Sequence, residues 1–139
     1  MSCPARSNLL NIGGRTDLDG DFVPTGYRMD VRILDLAADE DLLRQITKFI
    51  EDNGIAFCTI LACTGTLSLA MLRIREQTAS VGIAGSLTIA SLSAVIHSSY
   101  QSNAYIIISD EKGELHSGLL QEGSRTLGPT QVLLGVLQA

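Results

Sequence analysis

The stretch 39–75, DEDLLRQITKFIEDNGIAFCTILACTGTLSLAMLRIR, decides the fold class that the sequence predicts. It opens with acidic residues from Asp39 to Asp41, and negative charge there stabilises the N-terminal end of a helix. Asn53 and Gly54 are typical of a left-handed helix end. Apolar residues recur between these signals at helical spacing and predict one buried face: Leu42, Leu43, Ile46, Phe49 and Ile50.

Strands are predicted on both sides of this helix. Residues 55–63 are apolar at consecutive positions, which indicates a strand buried on both faces, and Gly65 interrupts it before a second strand follows. Apolar residues alternate with charged ones from Tyr27 to Ile33, as in a half-buried strand. The alternation slips between Ile33 and Leu34, and a bulge or a strand end would explain the slip.

The remaining strands are consecutive along the chain. We expect them at about 87–96, 103–109, 114–120 and 131–137, with a tight turn from Asp110 to Gly113. One main helix with about six or seven strands, mostly joined in sequence, predicts an α+β fold built on a single, mostly antiparallel sheet.

The chain length of 139 residues allows one domain. Residues 1–26 show no sustained apolar period, so we expect a flexible arm or loop there and the domain over 27–139. The composition, with 45% hydrophobic residues, excludes a disordered chain.

Charge is scarce in the middle of the chain. No residue from 77 to 109 is formally charged, and only Arg73, Arg75 and Glu76 are charged between 55 and 109. A small domain normally carries charge on its wet surface, so this stretch predicts a surface covered by another copy of the chain. The net charge of −5 disfavours binding to a phosphate backbone.

The odd set of three cysteines, Cys3, Cys58 and Cys63, is typical of a reducing compartment. We therefore expect an intracellular, cytoplasmic protein, and we interpret Cys58 and Cys63 as buried thiols. The uncharged run 55–72 raises the question of a membrane helix, but polar residues interrupt it, so no membrane association is predicted.

No group of residues forms a recognisable catalytic centre. His97 and His116 are the only histidines, and no Ser, Cys or Asp stands in a known nucleophile motif. The sequence therefore predicts a protein that is not an enzyme and that has no cofactor.

Four strings in order resemble the plants-and-prokaryotes-conserved (PPC) domain family. They are LLRQITKFIEDNGIAF (42–57), LACTGTLSLAMLRIR (61–75), SLTIASLSAVI (86–96) and SDEKGELHSGLL (109–120). The resemblance implies an α+β domain that assembles as a homotrimer. In plants this domain follows AT-hook motifs in nuclear DNA-binding proteins, whereas this sequence contains no AT-hook string.

The family commonly carries three histidines able to hold a metal ion. Aligned on the Asp110–Gly113 turn, those positions are Asn103, Tyr105 and Leu119 here, so the resemblance implies a cleft whose metal site has been lost. Its neighbours would be Gly65, Thr88, His97 and Gly118, of which Gly65 and Gly118 match family glycines. Thr88 stands where the family often has an acidic residue.

Three functions follow from these observations. The first is a metal-free homotrimer that acts as a non-catalytic interaction module for itself and for other proteins. The second is a small-molecule-binding protein or a weak enzyme that uses the cleft between subunits. The third is a DNA-associated protein, against which the negative charge argues.

Overall fold

A computed structural model describes residues 10–12, 15–16, 22–23, 27–74, 79–97 and 103–138. Within these ranges it contains one helix, α1 (Leu42–Asp52), and eleven strands. The strands are β1 (Leu10–Ile12), β2 (Arg15–Thr16), β3 (Phe22–Val23), β4 (Tyr27–Leu36), β5 (Phe57–Thr64), β6 (Thr66–Arg73), β7 (Val81–His97), β8 (Ala104–Ser109), β9 (Leu115–Leu120), β10 (Arg125–Thr126) and β11 (Thr130–Gln138).

The predicted helix is confirmed, and Asp41 fixes its start. The Asp41 carboxylate accepts a hydrogen bond from the Arg44 backbone N–H at 3.1 Å, as an N-cap does. Its second oxygen accepts from the Gly123 N–H at 2.8 Å, so the cap also ties the helix to the loop after β9. Leu42, Ile46 and Ile50 on one face of α1 are buried in the core.

The α+β class and the antiparallel pairing are confirmed, but the predicted number of about six or seven strands is too low. In the described part of the chain, nine strands form one sheet in the order β1-β4-β11-β5-β7-β8-β9-β6-β10, and the neighbouring strands pair antiparallel. The additional strands are β1 and β10, which have three and two residues. Strands this short have no apolar alternation to detect.

A long ribbon forms the centre of the sheet. β5 and β6 lie end to end along the same edge of the 17-residue strand β7, with Thr59 opposite Val95 and Leu72 opposite Val81. The other edge of β7 pairs with β8, β8 with β9, and β9 with β6, so four strands close into a ring. β7 begins at Val81, whereas the sequence predicted its start near Leu87. Two glycines interrupt the apolar alternation over the first residues of the strand, so the sequence does not reveal them as a strand.

Strand β4 corrects one sequence interpretation. It pairs with β11 without a break from Leu36 opposite Thr130 to Arg28 opposite Gln138, so both the bulge and the strand end considered at Ile33–Leu34 are wrong. The apparent slip arises because apolar residues occupy both faces of the strand. Leu36 is buried in the core, whereas Val31 and Ile33 are exposed on the opposite side.

The core lies between α1 and one face of the sheet and continues into the strand ring. Cys58 and Cys63 are buried and free, as predicted, and burial raises the pKa of the Cys63 thiol to about 11. No helix in the described ranges has the length and apolarity needed to cross a membrane.

Strands β1, β2 and β3 fall within residues 1–26, where the sequence predicted an arm or loop. β1 pairs with β4 at the edge of the main sheet, and β2 pairs with β3. The other residues of this segment lie outside the described ranges, and the division into an arm over 1–26 and a domain over 27–139 stays a prediction.

We expect Gly65→Ala to lower the free energy of unfolding by about 3 kcal/mol. Gly65 has φ 151°, and an added Cβ would lie 2.8 Å from Cβ of Thr130. Both the backbone conformation and the contact exclude a side chain where β5 continues into β6. Urea denaturation at one fixed protein concentration measures the loss.

Gly128→Ala is the matched control for this substitution. Its added Cβ meets no atom within 4 Å, and its φ is not in the left-handed region. Equal effects of the two substitutions would show that neither the φ angle nor the Thr130 contact constrains Gly65.

Candidate functional site

The side of the sheet that faces away from α1 carries a largely apolar surface with hydroxyl side chains among the apolar ones. One cross-strand row on this side runs from Val31 through Gly135 and Thr59 to Val95. We call this surface the outer sheet face and define it by its exposed and half-buried residues: Val31, Ile33, Thr59, Leu61, Ser91, Ser93, Val95, Tyr105 and Ile107. None of these nine side chains is charged.

Large apolar side chains of this face are open to water in a single copy of the chain. Ile33 is 55% exposed, Val95 is 56% exposed and Tyr105 is 59% exposed. They stand on strands β4, β7 and β8, so the exposure spreads across the sheet rather than concentrating at a loop. A monomeric protein rarely leaves such a surface uncovered.

The three former metal positions lie at one end of the outer sheet face. Tyr105 of β8 stands directly opposite Leu119 of β9, and Ser93 of β7 stands opposite Tyr105 on its other side. Asn103 immediately precedes β8 and lines the same cavity as Leu119. The structure therefore brings Asn103, Tyr105 and Leu119 together, as the sequence resemblance implied.

Gly118 precedes Leu119 on β9, and its lack of a side chain is needed for close packing of β9 against β6. An added Cβ at Gly118 would lie 3.0 Å from the backbone carbonyl oxygen of Arg73 and 3.3 Å from Cβ of Leu72. Strand β9 can therefore approach the end of β6 closely only because residue 118 has no side chain. This approach sets Arg73 opposite Leu119 in the β6–β9 pairing.

Arg73 also belongs to this region, although it was not among the site residues predicted from the sequence. It lines a cavity of about 400 Å³ together with Asn103, Leu119, Gln121 and Glu122. The sequence signal that could have identified Arg73 is its position in a segment with almost no charge, since a charged residue among apolar strands suggests a specific contact. Only the pairing of β6 with β9 places it beside Leu119.

The other predicted neighbours lie elsewhere on β7 and its partners. Thr88 is exposed and pairs with Thr66 and Ser109, and the Gly65 carbonyl accepts a hydrogen bond from the Ile89 N–H at 2.9 Å. His97 lies at the end of β7 opposite Phe57, with their rings edge to face at 4.0 Å. None of these residues lines the cavity that Asn103 and Leu119 share.

The residues at the former metal positions do not fit a metal ion. The Leu119 side chain is buried and has no donor atom, and the Asn103 amide is a weak ligand for the metals that imidazole binds. No mechanism that uses a metal at this site follows from these residues.

A separate polar cluster stabilises the turn between β8 and β9. One Asp110 carboxylate oxygen accepts hydrogen bonds from the backbone N–H groups of Lys112 and Glu114, both at 2.9 Å, and the other lies 2.9 Å from His116 Nε2. Gly113 completes the predicted turn with φ 81°. These hydrogen bonds, that with His116 foremost, lower the pKa of Asp110.

The donor atoms of Asp110, Glu114 and His116 lie within 4.8 Å of one another, which is close enough for three groups to reach one cation. Both Asp110 oxygens are already engaged in the turn. The arrangement is accounted for by the hairpin alone.

Comparison with known proteins agrees with the geometry. The Plants and Prokaryotes Conserved (PCC) domain model, another name for the PPC family, matches residues 24–138. The chain belongs to this family. No curated protein is significantly similar to it in sequence.

Solved structures share the PPC fold. A hypothetical protein from Salmonella enterica is similar with a TM-score of 0.77 at 21% identity, over 81% of each chain. A metal-containing protein from Archaeoglobus fulgidus gives 0.65 at 24% identity, over 79% of this chain and 81% of its own. A PPC protein from Pyrococcus horikoshii gives 0.65 at 20% identity, over 84% and 85%. At these identities the likeness shows the fold alone.

We expect His116→Ala to raise the pKa of Asp110 toward the ordinary range of an aspartate, because the substitution removes the hydrogen bond that lowers it most. A lowered pKa in the folded state stabilises the protein above the unfolded pKa. The stability advantage of the wild type over the variant should therefore shrink as the pH falls through the pKa of Asp110. Carboxyl ¹³C NMR titration measures the pKa directly.

His97→Ala serves as the control, because His97 lies at the far end of β7 and does not contact the turn. An Asp110 pKa that is the same in the wild type and in His116→Ala would refute the assignment of this hydrogen bond.

Proposed function

We propose that the chain is a non-catalytic, metal-free interaction module that works as a homotrimer, with its copies meeting through the outer sheet face. The observation that supports this most is the combination of exposed apolar side chains and scarce charge on that face, where Asp35 of β4 is an exception among the described residues. Val31, Ile33, Val95 and Tyr105 have no covering element within the described part of one copy.

Covering this face removes apolar area from water at about 25 cal/mol per Å². A stable interface buries roughly 800 Å² on each partner, and the rows from β4 to β8 offer a surface that spans five strands. A face with few charged side chains also keeps low the cost of burying unpaired charge. Interface centres are typically poor in charge and rich in tyrosine, which Tyr105 supplies.

The proposal of three copies, rather than two or four, is taken from the PPC family. Members of the PPC family assemble as homotrimers, and the closed symmetry of a trimer would allow three equivalent faces to be covered at once. The domain then offers its remaining surface to other proteins, while its own apolar face stays dry.

We expect the wild-type chain to sediment at three times the 14.8 kDa mass of one copy, and Val95→Glu to sediment as a monomer. The substitution introduces a carboxylate at the β7 end of the row Val31–Gly135–Thr59–Val95, where assembly would bury it without a partner. Sedimentation equilibrium at micromolar concentration measures both masses.

Leu127→Glu is the matched control. Leu127 is a similarly exposed apolar residue in the loop between β10 and β11, away from the outer sheet face, so its variant should remain trimeric. A monomeric wild type would refute the proposal. If Val95→Glu remains trimeric as Leu127→Glu does, the interface does not lie on the outer sheet face.

A further inference from the structure

The cavity beside the former metal positions has the features of a binding site with a different chemistry. It measures about 400 Å³, which is within the range of small-molecule pockets. Leu43 of α1, Ala104 of β8 and Leu119 and Leu120 of β9 supply its apolar wall. Each of these residues belongs to the same copy, so the cavity does not depend on assembly.

Arg73 is a charged group of this wall with no ion-pair partner among the described residues. Its Nε atom is buried and makes no hydrogen bond within the described residues. The ion pairs found in those residues are Arg32–Asp30 and His116–Asp110, and Arg73 takes part in neither. A guanidinium stays charged at any ordinary pH, so a buried Nε–H without an acceptor is unfavourable until something supplies one.

The backbone around Arg73 is fixed. Arg73 is the last residue of β6 and pairs with Leu119, and the missing side chain of Gly118 lets β9 approach its carbonyl group. The Arg73 side chain therefore starts from a paired strand rather than from a loop, and a strand positions a binding group more precisely than a loop does.

Polar groups around Arg73 define what the cavity can accept. The Gln121 amide nitrogen donates to the carbonyl groups of Leu119 and Leu120, which leaves its oxygen as an acceptor. Asn103 offers an amide at the exposed mouth of the same cavity. Glu122 is also exposed there and adds one negative charge.

We propose that this cavity binds a small monocarboxylate, with the acid group on Arg73 and a short aliphatic body against Leu119 and Leu43. A carboxylate edge matches the Nε–H and the adjacent Nη–H of a guanidinium in a bidentate pair. One guanidinium neutralises one carboxylate, whereas a doubly charged phosphate would face Glu122 with its charge only half compensated. The residues at the former metal positions cannot bind a metal ion, and in this proposal Arg73 binds the ligand instead.

The test is an NMR titration of the ¹⁵N-labelled full-length chain with sodium propionate. The Arg73 Nε–H resonance should shift and saturate at millimolar propionate in the wild type. Arg73→Lys should weaken binding about tenfold, measured on the backbone amides of Leu119 to Gln121, because a lysine cannot form the bidentate pair.

Two further variants sharpen the result. Arg32→Lys makes the same exchange at a distant, exposed ion pair and should bind propionate as the wild type does. Glu122→Gln removes the competing charge and should tighten binding, and it gives a reading even if Arg73→Lys fails to fold.

Three outcomes would overturn the proposal. The first is the absence of a saturable shift with propionate, and the second is tighter binding of inorganic phosphate at equal ionic strength. The third is an Arg73 resonance that depends on protein concentration without any added acid, because the partner of Arg73 would then be a carboxylate of a second copy.

Discussion

One constraint governs this molecule: its central strands are apolar on both faces, and the described part of the chain contains a single helix to cover them. Helix α1 and the strand ring bury most of one face, with Leu42, Leu87 and Ile106 among the residues shielded from water. The opposite face keeps Val31, Val95 and Tyr105 exposed. The hydrophobic effect that builds the core therefore also favours covering this face, which supports the proposed association.

The sequence predicted the elements better than their arrangement. The helix was predictable because Asp41, the apolar stripe and Gly54 are local signals, and the strands from β5 to β9 were predictable from apolar runs. The closure of β6 onto β9 was not, because pairing between distant strands leaves no periodic trace in either one. The slip at Ile33 was interpreted as a bulge or a strand end, although it reflects a strand that is apolar on two sides.

The candidate site was likewise predictable only in part from the sequence. The resemblance to the PPC family placed Asn103, Tyr105 and Leu119 in one group, and the strand register agrees. Arg73 became part of that group only through the β6–β9 pairing, and a lone arginine in an apolar segment does not reveal its neighbours. Thr88 was included because it stands where the family often has an acidic residue, and His97 as a neighbour of the group, but neither residue lines the cavity.

The exposure of Tyr105 is the quantity on which the account depends most directly. Hydroxyl-radical footprinting of the wild-type protein, read by mass spectrometry at Tyr105 with Leu127 as the reference, measures it in solution. The account predicts that Tyr105 reacts far more slowly than its 59% exposure in one copy implies, and that its reactivity rises on dilution. A fast reaction of Tyr105 that does not change with protein concentration would contradict the account.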